Sequence, residues 1–274
     1  MEATTTHAAR STGGTLGHLL RGWRAARGMS QLDLALRAGF SSRHVSFIET
    51  GRTQPSRQAL VILAEALDVP LRERNHLLEA GGYAHLYQQR PLAADEMSHV
   101  RGVLQFILDR HGPYAAVVLD RYANCLMGNG ASARLLAALV DPSLLGGHVN
   151  HLRVVFHPRG ARRWIVNWDE VARHLLGRAE REMGGASDDE TATALLAELR
   201  THAGLSLPRQ AALKAADLLL PIHIRKDDLE LRLFSTIMTL GTPQDVTLQE
   251  LRIEAFFPAD ASTEARARAL RDER

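Results

Sequence analysis

Residues 30–56 read SQLDLALRAGFSSRHVSFIETGRTQPS, and the fold of the first third of the chain turns on them. Ser30 followed three residues later by Asp33 is a capping-box arrangement, which starts a helix. Leu34, Ala35 and Ala38 form its buried stripe. Gly39 stands where a left-handed C-cap residue is needed, because a Cβ would be penalised there. Ser41 then caps a second helix. In it Val45 and Ile48 point inward, which leaves Ser42, Arg43, Ser46 and Phe47 outward, and Thr50-Gly51-Arg52 ends it. The small residues Ala35, Ala38 and Gly39 let the two helices cross closely. The short side chains early in the second helix let its N-terminus approach base edges, so the pattern is a helix-turn-helix.

Leu16, Leu19, Leu20 and Trp23 recur at helical spacing before this stretch, and Gly28 ends their helix. After it, Pro55-Ser56 opens a fourth helix with Leu60, Leu63, Ala64 and Leu67 on its core face. A fifth helix spans about 71–80. The expected organisation is a disordered polar tail over 1–14, an all-α helix-turn-helix domain of five helices over 15–82, a linker over 83–95 and a second domain over 96–274. Charge follows this division. Residues 1–90 carry 11 arginines against 7 acids, whereas the remainder carries 22 basic residues against 24 acidic ones. A basic first third on a near-neutral chain points to a polyanion. Lysine occurs only at 214 and 226, a bias read as codon usage in a GC-rich genome.

The same stretch resembles the helix-turn-helix of the Xre/Cro/C1 repressor family. The shared features are the SQ opening, Leu34-Ala35, the AG turn, Ser46, Ile48-Glu49 and the G-R-x-x-P-S exit. The resemblance implies that Ser42, Arg43 and Phe47 face bases and that Gln31 contacts a phosphate. Arg43 is the strongest base reader, since a guanidinium can bind guanine O6 and N7 together. Phe47 departs from the usual polar residue, and two roles stay open for it: packing on a thymine methyl or shielding the helix. Ser46 completes the outward face. Arg52 and Arg57 are candidates for phosphate contact or for plain solvated charge.

Beyond the linker a helix is expected over 96–109, with Val100, Val103, Leu104, Ile107 and Leu108 on one face. The period then changes. Residues 115–120 and 125–129 read as a hairpin, 131–140 as a short helix, 168–182 and 189–203 as helices around a loop over 184–189, and 218–225, 229–240 and 250–257 as strands. Two strands, helices and three further antiparallel strands give an α+β, PAS-like domain with an antiparallel sheet. NHLRVVFHP (150–158), IVNWDEVARHLL (165–176), the run 231–263 and, less tightly, VVLDRYANCLMGNGASARLL (117–136) resemble the MmyB-like ligand-binding domain. That resemblance implies a hollow core for an apolar small molecule such as a fatty acid; by itself the half-apolar sheet fits a solid core as well. A bound carboxylate would need a donor. The candidates are Arg232, with its neighbour Phe234, then Asn129, Arg153, His157 and Arg252.

The chain as a whole is expected to be a cytoplasmic, DNA-binding bacterial transcription regulator. It would act as a homodimer on double-stranded DNA under control of an apolar ligand. The alternative is a DNA-bound assembly module with a ligand-free dimerisation or docking domain. No run is apolar enough for a membrane span and the N-terminus lacks a signal-peptide core. The lone Cys125 reads as an inert core cysteine. His148, His151 and His157 lack accompanying ligands, so no metal is expected. Asp188-Asp189-Glu190 serves a helix N-terminus, no catalytic or nucleotide-binding motif is present, and neither enzymatic activity nor a cofactor is expected.

Overall fold

A computed structural model describes residues 12–183, 189–204 and 219–272. In chain order its helices are α1 (Thr12–Ala26), α2 (Gln31–Ala38), α3 (Ser42–Glu49), α4 (Arg57–Ala66), α5 (Leu71–Ala80), α6 (Ser98–His111), α7 (Gly130–Leu139), α8 (His151–Phe156), α9 (Trp168–Met183), α10 (Glu190–Ala203), α11 (Val246–Glu250) and α12 (Ala261–Asp272). The strands are β1 (Ala116–Leu119), β2 (Cys125–Gly128), β3 (Ile222–Lys226), β4 (Leu229–Met238) and β5 (Arg252–Pro258). The chain divides into two compact units: residues 1–90 with 242–249, and residues 91–241 with 250–274. The tail expected over 1–14 falls outside the described residues as far as 11, and α1 already begins at Thr12. The loop expected over 184–189 lies outside them except for Asp189, as does residue 218 of the expected third strand.

In the first unit the caps are those the sequence dictates. Ser30 Oγ accepts the Asp33 amide at 3.1 Å and Asp33 Oδ2 accepts the Ser30 amide at 2.8 Å. Gly39 has φ +72° and Ser41 Oγ accepts the His44 amide at 3.2 Å. Leu16, Leu20, Leu34, Val45, Ile48, Leu60, Leu63 and Leu67 make one core. Gly17 is where α1 meets α3, because a Cβ there would run into the Glu49 carbonyl. Loss of a methyl group's worth of space would push the helices apart, which is why this position is bare.

Residues 83–90, expected as linker, are bonded into this unit. Asn75 is buried; its Nδ2 donates to the Tyr87 carbonyl at 2.8 Å and its Oδ1 accepts the amides of Leu86 and Tyr87 at 3.1 Å each. Tyr83 Oη donates to the Pro55 carbonyl at 2.8 Å. The weak periodicity of this stretch reflects backbone held by side-chain amides, not a free chain. The segment 242–249 joins the same unit: the Val246 amide donates to the Gln88 carbonyl at 2.8 Å, Arg90 meets the buried Asp245 carboxylate at 3.1 Å, and Gln249 Oε1 accepts the Leu71 amide at 2.6 Å. That last bond supplies the start of α5, whose Pro70 N-cap has no side-chain bond of its own.

The second unit is built on one antiparallel sheet of order β2-β1-β5-β4-β3. The register pairs Ile224 with Leu231, Ser235 with Phe256 and Val118 with Ile253. Because side chains alternate along a strand, Leu231, Leu233, Phe256 and Glu254 share one face and Arg232, Phe234 and Phe257 the other. The first face packs on α8, α9 and α10 through Leu152, Phe156, Val171, Leu175, Leu195 and Leu199. α6 differs from the expected face: Leu104 and Leu108 are buried, but Val103 is 41% exposed and Phe106 60%.

Candidate DNA-reading surface and ligand cavity

α3 presents Ser42 and Arg43 exposed at its first turn, with Ser46 and Phe47 half-exposed one turn on. The Arg43 guanidinium lies 5.1 Å from the Phe47 ring centre and that of Arg52 5.7 Å from it, so one aromatic ring carries two cations. The amides of Arg52 and Thr53 both donate to the Phe47 carbonyl, at 2.8 and 3.2 Å, which folds the exit of α3 back over this residue. Arg52 and Arg57 are exposed, Arg57 at the first position of α4 behind its Ser56 cap. Seven residues singled out in the sequence therefore sit on α3, its exit and the neighbouring helix starts.

Gln31 sits in a network that sequence reasoning missed. The Glu49 side chain is completely buried, and Arg24 meets it through Nε at 2.7 Å and Nη2 at 3.0 Å. Gln31 Nε2 donates to the same carboxylate at 2.8 Å and Arg21 approaches to 3.5 Å. Burial works to raise the Glu49 pKa, but the bonds from Arg24 and Gln31 and the two arginine charges outweigh it, leaving the carboxyl below its ordinary range. One buried anion thus ties α1 to the starts and ends of the two helices of the motif. The signal available in the sequence was an acidic residue beside Ile48 on the inward side of α3.

In the second unit an apolar cavity of about 90 Å³ lies on the helix-covered face of the sheet. Ala115, Leu135, Leu231, Leu233 and Phe256 form its wall, and Arg134 on α7 is the one charged residue among its described lining residues. The proposed carboxylate partners lie elsewhere. Arg232 and Phe234 alternate to the opposite face; Arg232 is within 4.0 Å of Glu230 and Asp260, and Phe234 stacks on Phe257 at 5.4 Å. Asn129 is buried as the N-cap of α7, bonded to the Ala116 amide and to the Leu108 and Tyr114 carbonyls. Arg153 pairs with Glu198 at 2.8 Å, and His157 ends α8. Arg252 lines a separate small cleft that also contains Glu254 and Arg178. Strand alternation puts Leu231 and Leu233 on the cavity side of β4 and turns Arg232 away.

Glu254 and Arg178 form a buried ion pair on this face, with contacts of 3.2 and 3.0 Å. His151 is beside them; burial first, and then the Arg178 charge, hold its pKa below the ordinary histidine range against the pull of Glu254. Cys125 is half-buried and burial pushes its thiol pKa up, which keeps it protonated. Among the described residues no three His, Cys, Asp or Glu side chains converge as a metal site, and no helix is long and apolar enough to cross a membrane.

A helix-turn-helix unit with an exposed arginine on its second helix, followed by an antiparallel α+β unit with an apolar cavity, defines a DNA-binding regulator with a ligand-binding domain. Residues 100–270 match the MmyB-like transcription regulator ligand binding domain, and residues 15–77 match a helix-turn-helix domain. The chain belongs to the family of MmyB-like transcription regulators and is a DNA-binding transcription regulator of the helix-turn-helix type. No curated protein sequence matches it. Among solved structures it is similar to the restriction-modification controller protein C.AhdI from Aeromonas hydrophila. That match has 34% identity over 24% of this chain and 98% of that one, with a TM-score of 0.23. It is also similar to the clp gene regulator ClgR from C. glutamicum, with 31% identity over 26% of this chain and 90% of that one and a TM-score of 0.23.

Proposed function

We propose that the protein binds a pseudo-palindromic operator as a homodimer, reads it mainly through Arg43, and is controlled by a small apolar molecule with an anionic end. The observation that carries the DNA reading is the exposed Arg43 braced on the Phe47 ring at the start of the second helix of the motif. An aromatic brace restricts a long side chain before it meets a base, so less rotamer entropy is lost on binding. Ser42 and Ser46 flank it at the groove, while Arg52, Arg57 and Gln31 hold phosphates and contribute affinity without sequence information. Two such helices would enter successive major grooves about one helical turn apart.

Arg43→Ala should cost about 1–3 kcal/mol of operator affinity and relax selectivity at one base pair. The measurement is a titration of operator variants, the operator having been obtained by selecting DNA fragments with the pure protein. Unchanged selectivity at every position would remove Arg43 from the reading surface.

For the ligand, a cavity of about 90 Å³ holds only a small apolar group, so a longer acyl chain would extend through its mouth. Arg134 is exposed at that mouth and is the donor we assign to an anionic head in place of Arg232. Octanoate should raise the melting temperature more than octanol does, and Arg134→Gln should abolish the difference. If neither compound shifts the wild-type protein, the sensor reading fails; if the variant keeps the difference, the head group binds elsewhere.

A further inference from the structure

We propose that α6 is the surface through which two copies of this chain pair, packed antiparallel along the stripe His99, Gly102, Val103, Phe106 and Arg110. This rests on the homodimer reading above and adds the surface that makes it. The inner side of α6 is already occupied, with Leu104 and Leu108 buried. On the other side Phe106 is 60% exposed and Val103 41%, and around Gly102 a Cβ would meet open space. His99, Val103, Phe106 and Arg110 follow one another at three or four residues and Gly102 lies one turn before Phe106, so the five form one strip of the helix surface. A helix whose outer line carries a phenylalanine, a valine and a glycine is apolar on both sides, which a surface helix exposed to water has no reason to be.

The charges at the two ends of that line say what covers it. Asp95 and Glu96 are exposed just before α6, and Arg110 is exposed near its end; none of the three makes an ion pair among the described residues. The Arg110 guanidinium rests 5.2 Å from the Phe106 ring centre, which leaves it free to turn outward. In an antiparallel pair the acidic beginning of each helix faces the partner's Arg110, the neighbouring Asp109 being engaged by the Gln105 side-chain amide at 2.8 Å, and the two helix dipoles oppose. A parallel pair would set like charges together. Phe106 of each copy then enters the hollow that Gly102 leaves between His99, Val103 and Phe106 of the other, as one knob in a four-residue hole. A self-complementary patch of this kind closes under two-fold symmetry and gives a dimer, not a filament.

The test uses the full chain and sedimentation equilibrium. The wild type is expected to be dimeric. Phe106→Glu is expected to raise the dissociation constant by at least about 30-fold, the effect of losing an aromatic anchor. Since Phe106 is 60% exposed, circular dichroism and melting of the monomeric variant serve as the folding control. Arg110→Glu and Glu96→Arg should each weaken the dimer, and the double variant Glu96→Arg/Arg110→Glu should recover it, because an antiparallel pair exchanges both charges at once. A wild-type chain that is monomeric would overturn the homodimer reading itself. A wild-type dimer that Phe106→Glu leaves intact would retain that reading and overturn α6 as its surface, leaving the stripe to a different partner. A double variant no better than the single ones would overturn the antiparallel arrangement.

Discussion

Glu49→Ala is expected to destabilise the helix-turn-helix unit by on the order of 3 kcal/mol and to remove operator binding at temperatures the wild type tolerates. The expectation follows from what the carboxylate holds. Its side chain has no exposure, and Arg24, which meets it through two nitrogens, is itself only 14% exposed. Removing the anion leaves a largely buried guanidinium without a counter-charge, the costly way to break a buried pair. It also frees Gln31, so the start of α2 loses its hold on the end of α3. Arg24→Met/Glu49→Leu, which removes both charges, should be far less damaging. Urea unfolding of the three proteins decides the matter: a double variant as unstable as Glu49→Ala would show that the charge pairing is not the cause. The pH dependence has a definite sign. The folded carboxyl has a depressed pKa, so its contribution is complete above the ordinary glutamate range and is lost as pH falls below it.

Glu254→Ala should cost the second unit about 3–5 kcal/mol, by the same physics in a different setting. Arg178 is 16% exposed and Glu254 2%, so removing the carboxylate leaves a mostly buried guanidinium without its counter-charge. The added feature is His151. Its pKa is lowered by burial, so the unfolded chain takes up a proton in the ordinary histidine range while the folded one resists. Stability from this group is therefore complete above that range and declines as pH falls through it, before the carboxylates begin to titrate. His151→Gln should remove this first acid step, read as melting temperature against pH, and leave the lower step in place. Retention of the first step in the variant would assign it to another histidine, of which His174 is also held below its ordinary range, first by burial.

How much of this was legible follows from where the determinants lie. Caps, turns and helical stripes are local, so Ser30, Asp33, Gly39 and Ser41 could be read directly, and so could the strand layout of the second unit. Arg43 and Phe47 were legible as outward residues, but their stacking depends on how the chain leaves α3. The ion pairs Arg24–Glu49 and Arg178–Glu254 join residues 25 and 76 positions apart, and no local pattern marks such partners. The cavity was legible only as a strand. Which residues face it depends on register, and the arginine among its lining residues comes from a helix whose other residues are small or apolar. α6 misled because both of its sides are apolar, so periodicity alone could not tell the buried line from the exposed one.

The bonds of 242–249 to Leu71, Gln88 and Arg90 bear on how such a regulator can be recombined. The DNA-binding unit is written in two places along the chain, and the second lies between the fourth and fifth strands of the sheet. A cut after residue 90 keeps all five helices of the N-terminal part of the unit, yet it leaves Arg90 without the Asp245 carboxylate and α5 without its borrowed acceptor. Heads of this kind are therefore not interchangeable modules. A graft that respects the architecture has to carry the β4–β5 connection along with the helices it serves.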